Sequence, residues 1–150
     1  MKTTEKYGKK ISTALSMWVK LSRAYHTFSK KAVEDIRKYN LTEPQFSVLE
    51  SLGHLGPMPI GKLCSKQLVT GGNMTLVVDN LEKEGLVKRV HSTTDRRTIV
   101  VQITEKGKTL FDQIFIQHAK RMTEIASVLS EKEQNELARL LKKLGTSITE

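Results

Sequence analysis

The segment VHSTTDRRTIVVQIT, residues 90–104, places an acid and two adjacent arginines between two runs rich in β-branched residues. Such runs favour strands, so Asp95, Arg96 and Arg97 are expected at the turn of a hairpin. A guanidinium group can bind a phosphate, or it can enter a narrow minor groove of DNA, where the negative potential is enhanced. A nearby carboxylate can fix an arginine's direction through charge-assisted hydrogen bonds. The alternative interpretation is a solvated polar turn.

The composition limits the class of protein. The chain has 150 residues, enough for one domain with a core, and its net charge of +9 favours a polyanionic partner, either nucleic acid or an anionic membrane. Residues 1–40 carry ten basic and three acidic groups, so the excess charge is not concentrated at the hairpin. We find neither an apolar run of 18 residues nor a secretory signal, so we expect a cytoplasmic protein with no membrane partner.

The elements around the hairpin are predicted to be mainly helical. Apolar residues recur every three or four positions over 9–39, which predicts one long helix without a proline or glycine to stop it. Such a helix is too long to bury its apolar stripe within a small domain, so part of it is expected to pack on a second chain. Thr104 is expected to cap a further long helix, and Ser130 with Glu133 makes the capping box of a last one.

Shorter helices are predicted between the first long helix and the hairpin. Thr42 has Gln45 three residues later, the spacing of a capping box. Gly53 and Gly56, followed by Pro57, are expected to end that helix.

Two more helices then lead into the hairpin. Thr70 is the expected N-cap of the second of them, and Gly85 suits the position just after its end. Strands are predicted over 86–90 and 98–103.

A helix-turn-helix alone is a weak signal, because such pairs also occur in proteins that do not bind DNA. The hairpin that follows it strengthens the prediction. In a winged helix-turn-helix, one helix fits the major groove and the hairpin, or wing, reaches an adjacent minor groove.

The stretch TGGNMT opens the predicted recognition helix, and its free N–H groups suit a phosphate. Glycines at this position permit close approach of the backbone, an asparagine can read adenine, and a threonine can contact a base or a thymine methyl. The candidate DNA-binding residues here are Thr70, Gly71, Gly72, Asn73 and Thr75, together with Arg96 and Arg97 of the wing.

The run VVDNLEKEGLVKR followed by TDRRTIVVQITEKG resembles the MarR (multiple antibiotic resistance regulator) family of winged-helix transcription factors. The resemblance covers nearly the whole chain. It implies a homodimer whose terminal helices intertwine and whose winged helices bind a pseudo-palindromic operator. It also implies that Asp95 orients an arginine, with Arg97 the first candidate, rather than touching DNA. Leu76 departs from the pattern, because relatives often place a polar or basic residue there.

The resemblance and the patterns together predict a mainly α (α+β) fold of one domain. Residues 41–104 form the winged helix-turn-helix core, and residues 1–40 and 105–150 form the dimerisation helices. The expected function is sequence-specific transcriptional regulation, most simply repression. The alternatives are a helical protein-interaction module and a nonspecific nucleoid-type DNA binder.

Other residues suggest weaker hypotheses. Relatives often bind small phenolic or aromatic ligands, and the candidate pocket residues are Trp18, Tyr25, His26 and Phe46, which core or interface packing would equally explain. Cys64 is a redox candidate, but its apolar position favours packing. The four histidines lack metal-ligand spacing, and the sequence has no recognisable catalytic motif. We therefore expect no metal, no cofactor and no enzyme activity.

Overall fold

The computed structural model describes residues 2–67, 71–92, 95 and 97–148. A 3₁₀ segment, Lys2–Tyr7, precedes the regular elements. The helices and strands are α1 (Lys9–Ala32), α2 (Glu34–Arg37), α3 (Glu43–Leu55), α4 (Ile60–Gln67), α5 (Gly71–Lys83), β1 (Val87–His91), β2 (Ile99–Ile103), α6 (Glu105–Ala126) and α7 (Glu131–Ile148).

The first long helix is interrupted, so the prediction of one helix over 9–39 is wrong at Val33. There the chain leaves the helix for a turn, and the short α2 follows. Val33 and Ile36 are both buried in the core, which draws this part of the chain inward. Arg121 of α6 also binds Glu34 of α2 at 3.2 Å. Tertiary contacts therefore break a helix that no proline or glycine would have stopped.

Helix α3 begins as its sequence predicts. The Thr42 hydroxyl accepts from the N–H of Gln45, and the Gln45 side chain accepts from the N–H of Thr42, which completes the capping box. The helix ends at Gly56, which has a φ of 78°. The prediction that Gly53 helps to end it is wrong, since Gly53 lies inside α3. A Cβ there would come within 2.6 Å of the Phe111 ring, so this glycine makes room for α6.

The core is formed by one face of each central element. Helix α3 contributes Phe46, Val48, Leu49 and Leu52, helix α5 contributes Met74, Val77, Val78 and Leu81, and the remaining members include Leu63, Val101, Phe111 and Ile114. The four residues of α5 are three or four positions apart, so they share one face of the helix.

The end of α5 turns the chain directly into the wing. Gly85 has a φ of 71°, its N–H donates to Glu82 and the Leu86 N–H donates to Leu81. This Schellman arrangement confirms the expected role of Gly85. Strand β1 then pairs antiparallel with β2, with Val87 opposite Ile103.

A short third segment extends the wing sheet on its other side. Met58 exchanges two backbone hydrogen bonds with Val101 of β2, at 2.9 and 3.1 Å. Pro57 and Pro59 flank Met58, and because proline has no N–H, this pairing is limited to a single residue. The bridge ties the loop between α3 and α4 to the wing.

Helix α6 starts in close contact with the end of α5. The Thr104 hydroxyl accepts from the Gly107 N–H and donates to the Gly85 carbonyl oxygen at 2.7 Å. A Cβ on Gly107 would lie 2.9 Å from the Leu86 carbonyl carbon and would overlap its oxygen. Only glycine fits this position without movement of the backbone.

The two long terminal helices leave their apolar stripes uncovered. In α7, every side chain over 131–147 is exposed except that of Leu144, which is half-buried. The exposed large apolar side chains of α1, α6 and α7 are Ile11, Leu15, Met17, Trp18, Tyr25, Phe28, Ile116, Leu137, Leu140 and Leu141. In the part of the chain that the structure describes, no helix is long and apolar enough to cross a membrane.

We expect Gly107→Ala to lower the free energy of unfolding by about 1–3 kcal/mol, because the added methyl displaces a hydrogen-bonded carbonyl. The measurement is urea unfolding followed by circular dichroism. The matched control is Gly61→Ala, since Gly61 lies in α4 with open space around a Cβ. That control should be neutral or stabilising by about 0.5–1 kcal/mol. Equal effects of the two changes would contradict the close contact.

Candidate nucleic-acid interface

Helix α5 has one buried face and one exposed face. Its core face holds Met74, Val78 and Leu81 at 0% exposure, so the rotation of the helix is fixed. The opposite face begins with exposed Gly71, Gly72, Asn73 and Thr75. These four predicted DNA-binding residues therefore share the accessible first turns of the helix. Thr70 lies outside the described residues.

Hydrogen bonding within α5 limits what Thr75 can offer a ligand. Its hydroxyl donates to the Gly71 carbonyl oxygen at 3.0 Å. The proton is thus committed to the helix, whereas the methyl group and a lone pair remain free to face a base. Asn73 is exposed in the first turn of the described helix, where its amide could make the paired contacts that adenine accepts.

The wing turn is organised by Asp95. One carboxylate oxygen accepts from the backbone N–H of Arg97 at 3.0 Å, and the other accepts from the Thr98 hydroxyl at 2.8 Å. The Asp95 carbonyl also accepts from the Thr98 N–H. Asp95 thus accepts from the backbone N–H of Arg97. A side-chain pairing would instead have required contact with the Arg97 guanidinium. The Arg97 side chain is exposed, and Arg96 lies outside the described residues.

These contacts also set the charge state of the turn. The hydrogen bond from the Arg97 N–H, followed by the one from Thr98, holds the pKa of Asp95 below its usual value. A lowered pKa stabilises the folded turn at neutral pH, and that contribution is lost only as the pH falls through the lowered value. The carboxylate is therefore ionised, and able to accept both bonds, at neutral pH.

Arg89 joins the recognition helix to the wing, and the sequence reasoning missed it. Its guanidinium binds Asp79 at 2.6 Å and also pairs with Glu82, while its backbone N–H donates to Glu82 at 2.8 Å. Partial burial opposes its charge, but the bonds to Asp79 and Glu82 outweigh that effect and raise the pKa of Arg89. The result is a clamp between the last turns of α5 and strand β1.

A sequence signal for this clamp does exist. Asp79 and Glu82 are three residues apart on the helix, which places them on one face. The glycine turn at Gly85 then folds the chain back, so a basic residue in the third position of the strand meets both acids. That signal depends on recognising the turn and the strand together.

Comparison with known proteins agrees with this geometry. Residues 41–99, the helix-turn-helix and most of the wing, match the family model described as MarR family. The chain is 41% identical over 132 residues to the HTH-type transcriptional regulator MhqR of Bacillus subtilis (strain 168). The aligned region covers 88% of this chain and 91% of the relative. The chain belongs to the MarR family.

Two further similarities extend the comparison. The HTH-type transcriptional repressor MdtR of Bacillus subtilis (strain 168) is 28% identical over 83% of this chain and 81% of its own length. The solved structure of BpsR from Bordetella bronchiseptica, whose DNA binding is regulated by 6-hydroxynicotinic acid, matches with a TM-score of 0.73 and 25% identity. That match covers 83% of this chain and 89% of the other. The family resemblance and the mainly α winged-helix fold are confirmed, and the chain is a DNA-binding transcriptional regulator.

The predicted ligand residues of this MarR-family chain do not share one environment. Phe46 is buried in the core, with ring centroids 6.3 Å from Phe111 and 5.0 Å from His118. Trp18, Tyr25 and His26 are exposed on α1. The neighbour that the sequence reasoning missed is His118, which faces Phe46 from α6.

The redox candidate Cys64 lies in a position that favours packing. Cys64 is half-buried in α4 and packs against the core, a position that suits a small apolar side chain. Within the described ranges there is no group of three or more His, Cys, Asp or Glu side chains that could hold a metal ion.

We expect Arg89→Ala to destabilise the fold by about 1–3 kcal/mol, the range for hydrogen bonds to charged groups, and to weaken DNA binding by loosening α5. Lys88→Ala is the matched control, since it removes an exposed positive charge from the next position of the strand. Thermal unfolding and DNA titration of both variants test this. Equal losses would show that only charge, and not the clamp, matters.

Proposed function

We propose that this protein is a homodimeric repressor that holds a pseudo-palindromic operator with one winged helix-turn-helix from each chain. The observation that carries this proposal is the two-sided α5, whose buried face fixes the helix while Gly71, Gly72, Asn73 and Thr75 remain exposed. A helix held in this way can enter a major groove without rearranging the core. The repressor MdtR supports repression as the outcome.

The wing supplies the second contact of the proposal. Asp95 fixes the turn through the Arg97 N–H and Thr98, which leaves the Arg97 guanidinium free to reach DNA. An arginine at this point suits either a phosphate or a narrow minor groove. Arg96, outside the described residues, is proposed to act beside it.

Dimerisation is supported by the uncovered stripes of the terminal helices. Helix α7 runs over Glu131–Ile148, and nearly all of its side chains are exposed. An isolated helix of this length is marginal in water, so its stability requires a packing partner. The leucines that it leaves uncovered, Leu137, Leu140 and Leu141, are matched by exposed apolar residues on α1. A second copy would cover both stripes and place two recognition helices on one face of the DNA.

We further propose that a small hydroxylated aromatic ligand releases the operator. In the described part of the chain, the buried Nδ1 of His118 has no hydrogen-bond partner. It lies beside Phe46, the buried aromatic residue predicted for the pocket. A ligand with one ring and one hydroxyl would pack on Phe46 and satisfy His118. BpsR, whose DNA binding responds to 6-hydroxynicotinic acid, supports this type of regulation.

The other functions make different predictions for DNA binding. A nonspecific nucleoid-type protein would show a steep salt dependence but equal affinity for all fragments. A protein-interaction module would bind no DNA fragment, so it would show no salt dependence of DNA binding. A specific regulator retains a short palindrome from sequenced genomic fragments at physiological salt, and this selection supplies the operator for the tests below.

We expect Arg97→Ala to weaken operator binding by about 1–3 kcal/mol, the range for a good arginine contact. Fluorescence anisotropy at several salt concentrations measures it, and a phosphate contact would also reduce the salt slope by about one. Arg139→Ala is the control, because Arg139 is exposed on α7 and pairs with Glu136. Unchanged affinity of Arg97→Ala would exclude the wing contact.

Sedimentation equilibrium should give twice the chain mass of 17.0 kDa. We expect Leu141→Glu to shift the population towards monomer, because it places a charge in the apolar stripe. Lys142→Glu is the control on the next residue of the same helix, and it should remain dimeric. A monomeric unaltered protein at micromolar concentration would contradict the dimer.

Small phenols and hydroxylated aromatic acids, including 6-hydroxynicotinic acid, should release labelled operator in the same anisotropy assay. His118→Phe keeps a ring beside Phe46 but removes Nδ1, so the releasing concentration should rise about threefold to tenfold, as for one lost hydrogen bond. His54→Phe is the matched control. No release by any of these compounds, or an equal rise in both variants, would refute the proposed site.

A further inference from the structure

Several exposed apolar side chains of the described residues, among them Leu55, Ile99 and Leu76, lie outside the helices that the proposed dimer covers. The exposed large hydrophobic residues of the described chain lie mostly on α1, α6 and α7, where a second copy would cover them. Leu76 is different, because it lies on the recognition helix and 58% of it is exposed. A single exposed leucine is common on protein surfaces. Leu76, however, lies on the proposed DNA-binding face, where its side chain can contact a base.

Helical geometry places Leu76 near the middle of that face. Successive residues turn by about 100°, so positions four and seven apart lie close to one line along the helix. Gly72 precedes Leu76 by four residues, and Lys83 follows it by seven. The core face, with Met74 and Val78, points the opposite way. Leu76 therefore projects outward, away from the core.

The neighbours of Leu76 favour its close approach to a base. Gly71 and Gly72 carry no side chains, and a Cβ on either would meet no atom within 4 Å. Along the outward line, Leu76 is thus the first long side chain of the described helix. A charged or amide side chain at this point could pair with a base edge, but leucine offers only an apolar surface.

The major groove presents one apolar group, the 5-methyl of thymine. Asn73 and Asn80 lie on the flank of the helix beside Leu76, and asparagine is suited to adenine. A helix that presents amides beside a leucine therefore matches adjacent A·T pairs, in which one strand offers adenine edges and the other offers methyl groups.

We propose that Leu76 determines operator specificity by packing against the 5-methyl group of a thymine in each half-site. This inference rests on the proposed function, since it requires a specific operator. It names a residue of the interface and the chemical group that it reads. Thr75 is the competing residue, because its methyl group is also exposed while its hydroxyl is bonded to Gly71.

The test uses duplexes in which deoxyuridine replaces thymine at one position at a time, which removes only the methyl group. The duplexes carry the palindrome selected from genomic fragments by the unaltered protein. We expect one position per half-site at which this replacement weakens binding about fourfold, the value for one buried methyl-sized group. Leu76→Ala should bind the thymine and deoxyuridine duplexes equally.

Matched variants assign the effect to Leu76. Thr75→Ser keeps the hydroxyl but loses the methyl group, and Asn73→Ala removes a flanking amide. Both should retain the fourfold difference, whatever their overall affinity. Because Leu76 is exposed, Leu76→Ala should unfold at the same temperature as the unaltered protein, which shows that the loss is local.

Three outcomes would overturn the inference. If no deoxyuridine replacement weakens binding to the selected operator, the protein is still a specific regulator but reads no methyl group through this helix. If Leu76→Ala keeps the difference and Thr75→Ser loses it, the threonine is the reader. If no palindrome is selected at all, the proposed function fails and this inference fails with it.

Discussion

At Gly107, the first turn of α6 lies against the backbone of Leu86 with no space for a Cβ. Three elements meet there, namely the end of α5, the start of β1 and the start of α6. The Thr104 hydroxyl donates to the carbonyl oxygen of Gly85, and the backbone N–H of Thr104 donates to the carbonyl oxygen of Leu86. The last turn of α5, the wing and the long helix α6 are therefore joined at one point.

Helix α5 is held on two sides and open on the third. Its apolar residues fill the core, and Arg89 binds the acids at its end. A rigid attachment of this kind lets the exposed residues act as a fixed surface, which is what recognition of a base sequence requires. In the proposed complex, the polar residues of that surface position the helix and pair with bases, while Leu76 adds an apolar contact of a type that hydrogen bonds cannot provide.

In the proposed function, the terminal helices connect this surface to regulation. A second chain would cover their exposed leucines and aromatic residues and would set the distance between two recognition helices. Adjacent half-sites on B-DNA are about 34–36 Å apart, so a small change in the packing of α6 is enough to remove the match. Among the described residues, the buried Nδ1 of His118 on α6 has no hydrogen-bond partner, and it lies beside Phe46, so the proposed ligand would act on this distance from there.

The sequence alone determined the order of the main elements and several of their caps. Thr42 with Gln45, Gly85, Thr104 and Ser130 with Glu133 act over three or four residues, and such local hydrogen bonds are legible in the amino-acid pattern. The tertiary structure decided what depends on contacts distant in sequence. Val33 interrupts a helix because its side chain is buried in the core. Gly53 leaves room for the Phe111 ring, which packs where a Cβ would lie. Arg89 pairs with two acids only after the chain has turned. None of these partners lies within one helical turn, so each contact depends on how the chain folds. For Arg89, the spacing of Asp79 and Glu82 becomes a signal only when the turn at Gly85 and the strand after it are recognised together.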